Sequence, residues 1–269
     1  MSPNPRPQVL HRCWGSDPVS YDGDVKSNVL YPGCTIVTGN ATTWNSCKKY
    51  LESFETTGSQ SHDVVCVQEH HLATADEVSQ ASQQCEKIGF QSRWAFAHPT
   101  EKGTKGGVAI LVKHGHSRVD PVGFEVDPVE GRLVASEVTL NGYQEVLIAS
   151  LYLQCGTGPK GVTLEALAAV ASMVQDSGLP LILAGDFNMG PVTLGKVGML
   201  KRLGLAQIVP KQPTCLTLLS ATKLGYFCID DQLISIVENI RVDIAAATSP
   251  HLPVELRLVR APTMVWFLI

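Results

Sequence analysis

Asp186 and Asn188 stand two residues apart at the end of an apolar run, LPLILAGDFN (Leu179–Asn188). The run reads as a buried strand that stops at Gly185. If extended geometry holds through the tip, the carboxylate and the amide point one way and Phe187 points the other, into the core. Such a pair on a rigid strand end is placed to hold a water, a metal or a phosphate. Taken alone, Gly-Asp-Phe-Asn reads equally well as a turn capping a strand. Other strand ends carry chemistry too. Asn40 ends CTIVTGN, Glu69 ends DVVCVQE, Tyr152 lies near the end of EVLIASLYLQ, Asp230 lies in CIDDQLISIV, and His251 lies in the loop SPHLP. Singly these are a helix cap, a surface charge, a rim tyrosine and a loop histidine. As a set, the carboxylate and amide oxygens suit a hard divalent cation such as Mg²⁺. A histidine beside a carboxylate can orient a water or stabilise phosphoryl charge.

The elements that must position these groups follow from periodicity and turn signals. Strands are expected at Cys34–Asn40, Asp63–Glu69, Gly107–Lys113, Leu133–Leu140 and Glu145–Gln154, with Asn141-Gly142 as a hairpin turn. A further strand is expected around the aromatic Trp94–His98, before a Gly/Lys turn at Glu101–Gly107. Trp44, Cys47, Leu51 and Phe54 recur at helical spacing behind Thr42 or Thr43. Thr74-Ala-Asp-Glu77 is a capping box for a helix ending near Ile88, before Gly89. Thr163 is expected to cap a helix through Asp176, with Leu164, Leu167, Ala168, Ala171 and Val174 on one side and Gly178 as its stop. A shorter helix is expected at Leu194–Leu203, then strands at Cys228–Val237, Arg241–Ala247 and Val254–Arg260. CGTGPKG (Cys155–Gly161) lacks the GK[ST] ending of a phosphate-binding P-loop. The pattern predicts one α/β domain over 34–260, two sheets covered by helices, with a Pro-rich irregular leader at 1–33 and an apolar tail at 261–269.

Composition narrows the function classes. With 269 residues, 44% of them apolar, the chain can bury a full core. A net charge of -4 gives no global attraction to nucleic acid, so any such binding must come from local patches. The candidates are Lys102 and Lys105 in the Gly-rich turn, and Lys196, Lys201 and Arg202 further on. Eight cysteines without a C-x-x-C pair argue against a zinc cluster and for free thiols in a reducing compartment. No apolar stretch approaches the roughly 20 residues of a membrane span, and the first residues lack the apolar core of a secretory leader. The expectation is an intracellular protein, with the nucleus as one candidate, no membrane partner, no protein partner to infer, and a monomeric state.

The order of these motifs resembles the endonuclease/exonuclease/phosphatase superfamily, DNase I-like in fold, and within it the exonuclease III-type and LINE-type retrotransposon endonucleases. VTGNATTW resembles the family's first motif, with its metal-associated asparagine at Asn40. VVCVQEHHL resembles the QE-T-H-L motif, which places the metal-binding glutamate at Glu69. KGGVAILVK is similar to the Gly-Gly-Val strand, and SLYLQC occupies the Tyr-x-Pro-Asn motif, with Tyr152 as the phosphate-orienting tyrosine. LAGDFN matches closely, so that Asp186 would position the attacking water, with a share in metal binding, and Asn188 the phosphate or metal. CIDDQLIS resembles the I-D-Y-hydrophobic strand, making Asp230 the partner of the histidine, and SPHLPV resembles Ser-Asp-His-x-Pro-Val, giving His251.

The resemblance implies a two-sheet β-sandwich flanked by helices, the DNase I-like four-layer fold. It also implies a phosphodiester hydrolase dependent on Mg²⁺ or Mn²⁺, most closely a retroelement-type endonuclease acting on DNA. The chain contains no reverse-transcriptase segment, so a retroelement origin would make it a fragment or a solitary copy. Other substrates open to the same superfamily are phosphomonoesters and phospholipids. Three departures matter. Pro250 replaces the aspartate beside the histidine, Gln154 and Cys155 replace Pro-Asn after the tyrosine, and Asp231 stands where Tyr or Phe is common. These departures leave room for a decayed, non-enzymatic remnant.

Overall fold

The computed structural model describes residues 19–20, 33–57, 62–120, 129–140, 144–246 and 248–259. Most of the expected leader and the whole apolar tail lie outside them, as does the Asn141-Gly142 turn. Two sheets dominate. The six-stranded sheet runs β16 (Val237–Val242), β17 (Val254–Leu258), β2 (Cys34–Asn40), β3 (Val64–Gln68), β7 (Val108–Lys113) and β4 (Phe90–Ala95). The seven-stranded sheet runs β1 (Val19–Ser20), β12 (Leu205–Val209), β15 (Gly225–Asp230), β11 (Leu181–Asp186), β10 (Gln144–Tyr152), β9 (Leu133–Leu140) and β8 (Ser117–Val119). Two hairpins, β5 (His98–Thr100) with β6 (Gly103–Lys105) and β13 (Cys215–Leu216) with β14 (Ala221–Thr222), stand apart from the sheets.

Strand alternation builds three cores. Ile182, Ala184, Phe227, Ile148 and Val134 of one sheet meet Ile36, Val64, Cys66, Ile110 and Leu256 of the other. The intervening Leu181, Leu183, Leu147 and Tyr226 face outward, under α3 (Val162–Ser177), α4 (Pro191–Gly195) and α5 (Met199–Leu203). Val37, Val65 and Leu111 face the other way, under α1 (Trp44–Thr57) and α2 (Ala75–Lys87). The result is four layers, helix–sheet–sheet–helix, as expected.

Several element boundaries differ from the sequence reading. The aromatic strand starts earlier, at Phe90, and the turn expected at Glu101–Gly107 contains β6. The strand expected at Cys228–Val237 ends at Asp230 and gives way to a 3-10 helix, Asp231–Ile236, because Asp230 turns its carboxylate onto the Gln232 N–H, 2.9 Å away. The following strand is Val237–Val242 rather than Arg241–Ala247. Gly161 precedes α3 without a side-chain cap, and Thr163 is buried inside the helix, so the inward face is Ala166, Leu167, Val170 and Met173 while Leu164 is exposed. Gly198, at φ 78, divides the expected Leu194–Leu203 helix into two. Thr43 does cap α1, accepting from the Ser46 N–H, and the Thr74–Glu77 capping box forms.

Strand direction makes the site. β2 and β3 are parallel, as are β10 and β11, so Asn40 pairs with Gln68 in one sheet and Tyr152 with Asp186 in the other. All four C-terminal ends open at one end of the sandwich. β17 is antiparallel to β2 and β15 antiparallel to β11, so their first residues, Val254 and Gly225, reach that same mouth.

Candidate active site

Asn40 joins the two sheets. Its Nδ2 donates to Glu69 Oε2 at 2.6 Å and to Asp186 Oδ2 at 2.9 Å, while its Oδ1 accepts from the Thr42 N–H. Glu69 and Asp186, from different sheets, therefore converge on one amide. The Tyr152 phenol lies beside Glu69, within its electrostatic reach. His251 Nδ1 lies 3.6 Å from Asp186 Oδ2. Asn188 turns away from extended geometry at φ 47. Its backbone N–H donates to Asp186 Oδ1, and its Nδ2 donates to the Leu153 carbonyl at 2.8 Å, tying the end of β11 to that of β10. The strand therefore ends at Asp186, and Asn188 does not simply repeat its direction. Phe187 is buried as expected, stacked on Tyr226 with ring centroids 4.2 Å apart.

Asp186 is only 1% exposed. Burial pushes its carboxyl up, opposed by His251, Asn40 and the Asn188 N–H. Burial and the neighbouring Glu69 push the Tyr152 phenol up. Glu69 has φ 56, an unfavourable conformation for a non-glycine residue, held by its neighbours. The His70 and His71 N–H groups donate to the Gly107 and Gly106 carbonyls, and burial drives the His70 imidazole down to about 4. Gly107, at φ +86, faces that ring, and a Cβ there would stand 2.5 Å from His70 Cε1. The QEHH segment and the Gly-Gly turn are thus one interlocked unit. Beneath it, the Gln68 amide donates across the sandwich to Ser150 Oγ at 3.0 Å.

Asp230 is not at the site. It ends β15 opposite Leu205, five residues beyond Gly225, or about 17 Å at the rise of an antiparallel strand. The residue in register with Asp186 is Gly225. Leu224-Gly225-Tyr226-Phe227 has the spacing of the I-D-Y-hydrophobic pattern, with glycine in the aspartate position. A Cβ there would meet Thr214 Oγ1 at 3.7 Å and Val254 Cγ2 at 3.8 Å, ordinary van der Waals contacts. His251 is held through backbone. It forms a bridge with Cys215, flanked by Leu216 N–H to the Pro250 carbonyl and Leu252 N–H to the Thr214 carbonyl, both 2.8 Å. Cys215 Sγ lies 4.0 Å from His251 Nε2.

Sequence reasoning passes over Gln68, Cys215 and Gly225, and also Arg132, whose guanidinium carbon lies 5.5 Å from the Tyr152 ring centroid. The Gln in VVCVQE is the one available signal for the cross-sheet bond. Of the basic candidates, Lys102 and Lys105 are exposed on the β5–β6 hairpin, which touches His71 through Thr104. Lys201 and Arg202 end α5 just before Leu205, at the far end of the sandwich. The seven cysteines among the described residues are free thiols. No described helix is long and apolar enough to cross a membrane.

The helix-covered two-sheet sandwich carries its polar groups at one mouth, and comparison gives the family. The Endonuclease/Exonuclease/phosphatase family matches residues 28–235, and the chain belongs to it. Among solved structures, the AP endonuclease LMAP from Leishmania major superposes with a TM-score of 0.70 at 14% identity, covering 92% of this chain and 94% of that one. The endonuclease domain of TRAS1, a telomere-specific non-LTR retrotransposon, gives 0.63 at 14% identity, covering 84% and 98%. A single-residue variant of the 3' phosphatase NExo from Neisseria, bound to a product DNA hairpin, gives 0.61 at 17% identity, covering 84% and 99%. No curated protein matches the sequence.

Proposed function

We propose that the chain is a divalent-metal-dependent phosphodiesterase that cuts DNA, of the retroelement endonuclease type. The observation that carries this reading is the convergence of Glu69 and Asp186, from two sheets, on Asn40, with Tyr152 and His251 beside them.

The donor set fits a hard cation. Among the described residues no group of three or more His, Cys, Asp and Glu side chains forms a ready cage. Mg²⁺ needs none, because it keeps several waters and takes one or two carboxylates. Glu69 would be its principal ligand, with Asp186 in reach. Asn40 would join as a ligand only with its amide turned over, since its nitrogen now faces both carboxylates. When bound, the ion neutralises charge on the phosphate and the leaving oxygen.

The chain's own residues supply the rest. Asp186, fixed by the Asn188 N–H, accepts a hydrogen bond from the attacking water and aligns it in line with the departing oxygen. His251 donates to a phosphoryl oxygen, and Tyr152 donates beside it. Asn188 holds the β10 and β11 ends together and so fixes the distance between Tyr152 and Asp186.

Gly225 and Pro250 favour a second reading, in which the chain binds nucleic acid and cuts it slowly or not at all. His251 then lacks the dedicated carboxylate that a residue at 225 would supply. A panel of supercoiled plasmid, abasic duplex, RNA and phospholipid, each with Mg²⁺ and with chelator, separates these. Plasmid or abasic-duplex nicking that needs Mg²⁺ supports the first reading. DNA binding without product supports the second, and turnover of phospholipid alone overturns both.

A further inference from the structure

Arg132 is a buried cation without an anion among the described residues. It is 6% exposed, and its backbone carbonyl accepts the Tyr152 N–H at 2.8 Å. Among the described residues its guanidinium makes one hydrogen bond, from Nη2 to Gln154 Oε1, long at 3.4 Å and to a neutral acceptor. Nη1 is buried and bonded to none of them. The other buried arginine, Arg93, is paired with Asp120 at 3.3 Å. Glu130, close to Arg132 in the chain, is turned to His98 instead, 2.9 Å away. A buried charge without a counter-ion is costly, and folded chains normally pair it.

The missing partner has a natural source. Arg132 lies over the ring of Tyr152, which neighbours Glu69 and pairs in register with Asp186, so the guanidinium is one side chain removed from the carboxylate pair. Gln154 is half-buried just past the end of β10, Lys102 and Lys105 are exposed on the β5–β6 hairpin, and Lys160 is exposed on the loop before α3. Guanidinium geometry matches phosphate oxygens in a two-point contact. We propose that Arg132 seats a second phosphate of the bound strand, the one next to the scissile phosphodiester. The Gln154 side-chain carbonyl holds that place in the free protein. This rests on the reading of the mouth as a DNA phosphodiesterase site and adds a direction to it, with the strand leaving past Tyr152 toward Gln154.

The test is a set of short labelled duplexes, each with one phosphate replaced by an uncharged methylphosphonate. Binding is measured by fluorescence anisotropy in chelator, and cleavage in Mg²⁺. For the wild type, one replacement flanking the cut should weaken binding about tenfold, the scale of a charged hydrogen bond. Arg132→Gln should show that loss on the natural duplex and no further loss at that one position. Its plot of log affinity against log salt should be shallower by about 0.9. Arg132→Lys, which keeps the charge, should recover part of the salt slope and serves as the folding control. Equal sensitivity of wild type and Arg132→Gln at every position would overturn the proposal and leave Arg132 as a support for Tyr152. Position-specific binding without any cleavage would uphold Arg132 and overturn the enzymatic reading. Failure of the wild type to bind any duplex would overturn both.

Discussion

The two halves of the mouth are built differently. Asn40, Glu69, Tyr152 and Asp186 sit on or directly after parallel strand ends whose register the two sheets set. Asn40 bonds Glu69 on its own side and Asp186 across the sandwich. The half around His251 is carried by a loop, and its ties are backbone bonds to the β13–β14 hairpin. Side chains that could orient the imidazole are sparse there. Asp186 lies 3.6 Å away, Gly225 offers no side chain, and Pro250 cannot ligate. Catalytic geometry on rigid ends persists because moving it would disturb two cores. Geometry on a loop can lose a partner at little structural cost.

The sharpest way to break this comparison is at Asp186. Asp186→Asn should lower Mg²⁺-dependent nicking about 10³-fold in single-turnover assays, at the upper end for one transition-state contact. A loss under about tenfold would move the chemistry away from the strand-end half. Gly107→Ala strikes the same half through its scaffold. It places a methyl against the His70 ring in a left-handed backbone, which should cost about 2 kcal/mol and lower Tm by about 4–8 °C. An unchanged melting curve would show that the QEHH segment and the Gly-Gly turn are not interlocked.

Asp186 is legible because a long apolar run ends on it, and Glu69 and Asn40 for the same reason. Strand direction is not legible. Whether Asp230 or Gly225 reaches the mouth depends on β15 running antiparallel to β11, which no local pattern encodes. The sequence reading therefore chooses the aspartate that is present over the glycine in the right place. The Asn40–Asp186 contact spans 146 residues and belongs to the packing of the sheets. Arg132 looks in sequence like any charge before a strand, and only burial shows it to be unusual. The four layers are legible because period-two and helical patterns are separate signals. The Thr163 cap is misplaced because the helix begins one residue before it.

The loop-borne half can be sharpened by filling it. Gly225→Asp should raise kcat about tenfold with KM little changed, the lower end of what an orienting carboxylate is worth. A folded variant with unaltered kcat would mean that His251 needs no partner beyond Asp186. The smallest effect is a control outside the mouth. His116 is bonded to Asp63 at 3.1 Å, and Asp63 also accepts the Thr35 N–H at 2.8 Å. The Asp63 hydrogen bond raises the His116 imidazolium above its ordinary 6.5. The pair therefore adds stability in full below about pH 6.5 and loses it as pH rises through the raised folded value. His116→Asn should lower Tm at about pH 6 more than at about pH 8.5, and should leave the ratio of Asp186→Asn to wild-type nicking unchanged. An equal Tm loss at both pH values would remove the ion pair from the account.

The central claim rests on Glu69, the carboxylate that Asn40 holds at 2.6 Å and that lies beside Tyr152. Nicking of supercoiled plasmid by wild type and Glu69→Gln, across a Mg²⁺ titration and at matched folding, tests it most directly. Wild-type nicking should appear with Mg²⁺ and vanish with chelator. Glu69→Gln should need far more metal and remain about 10²-fold slower or worse at saturation. Equal Mg²⁺ dependence and equal rates in the two proteins would contradict the assignment.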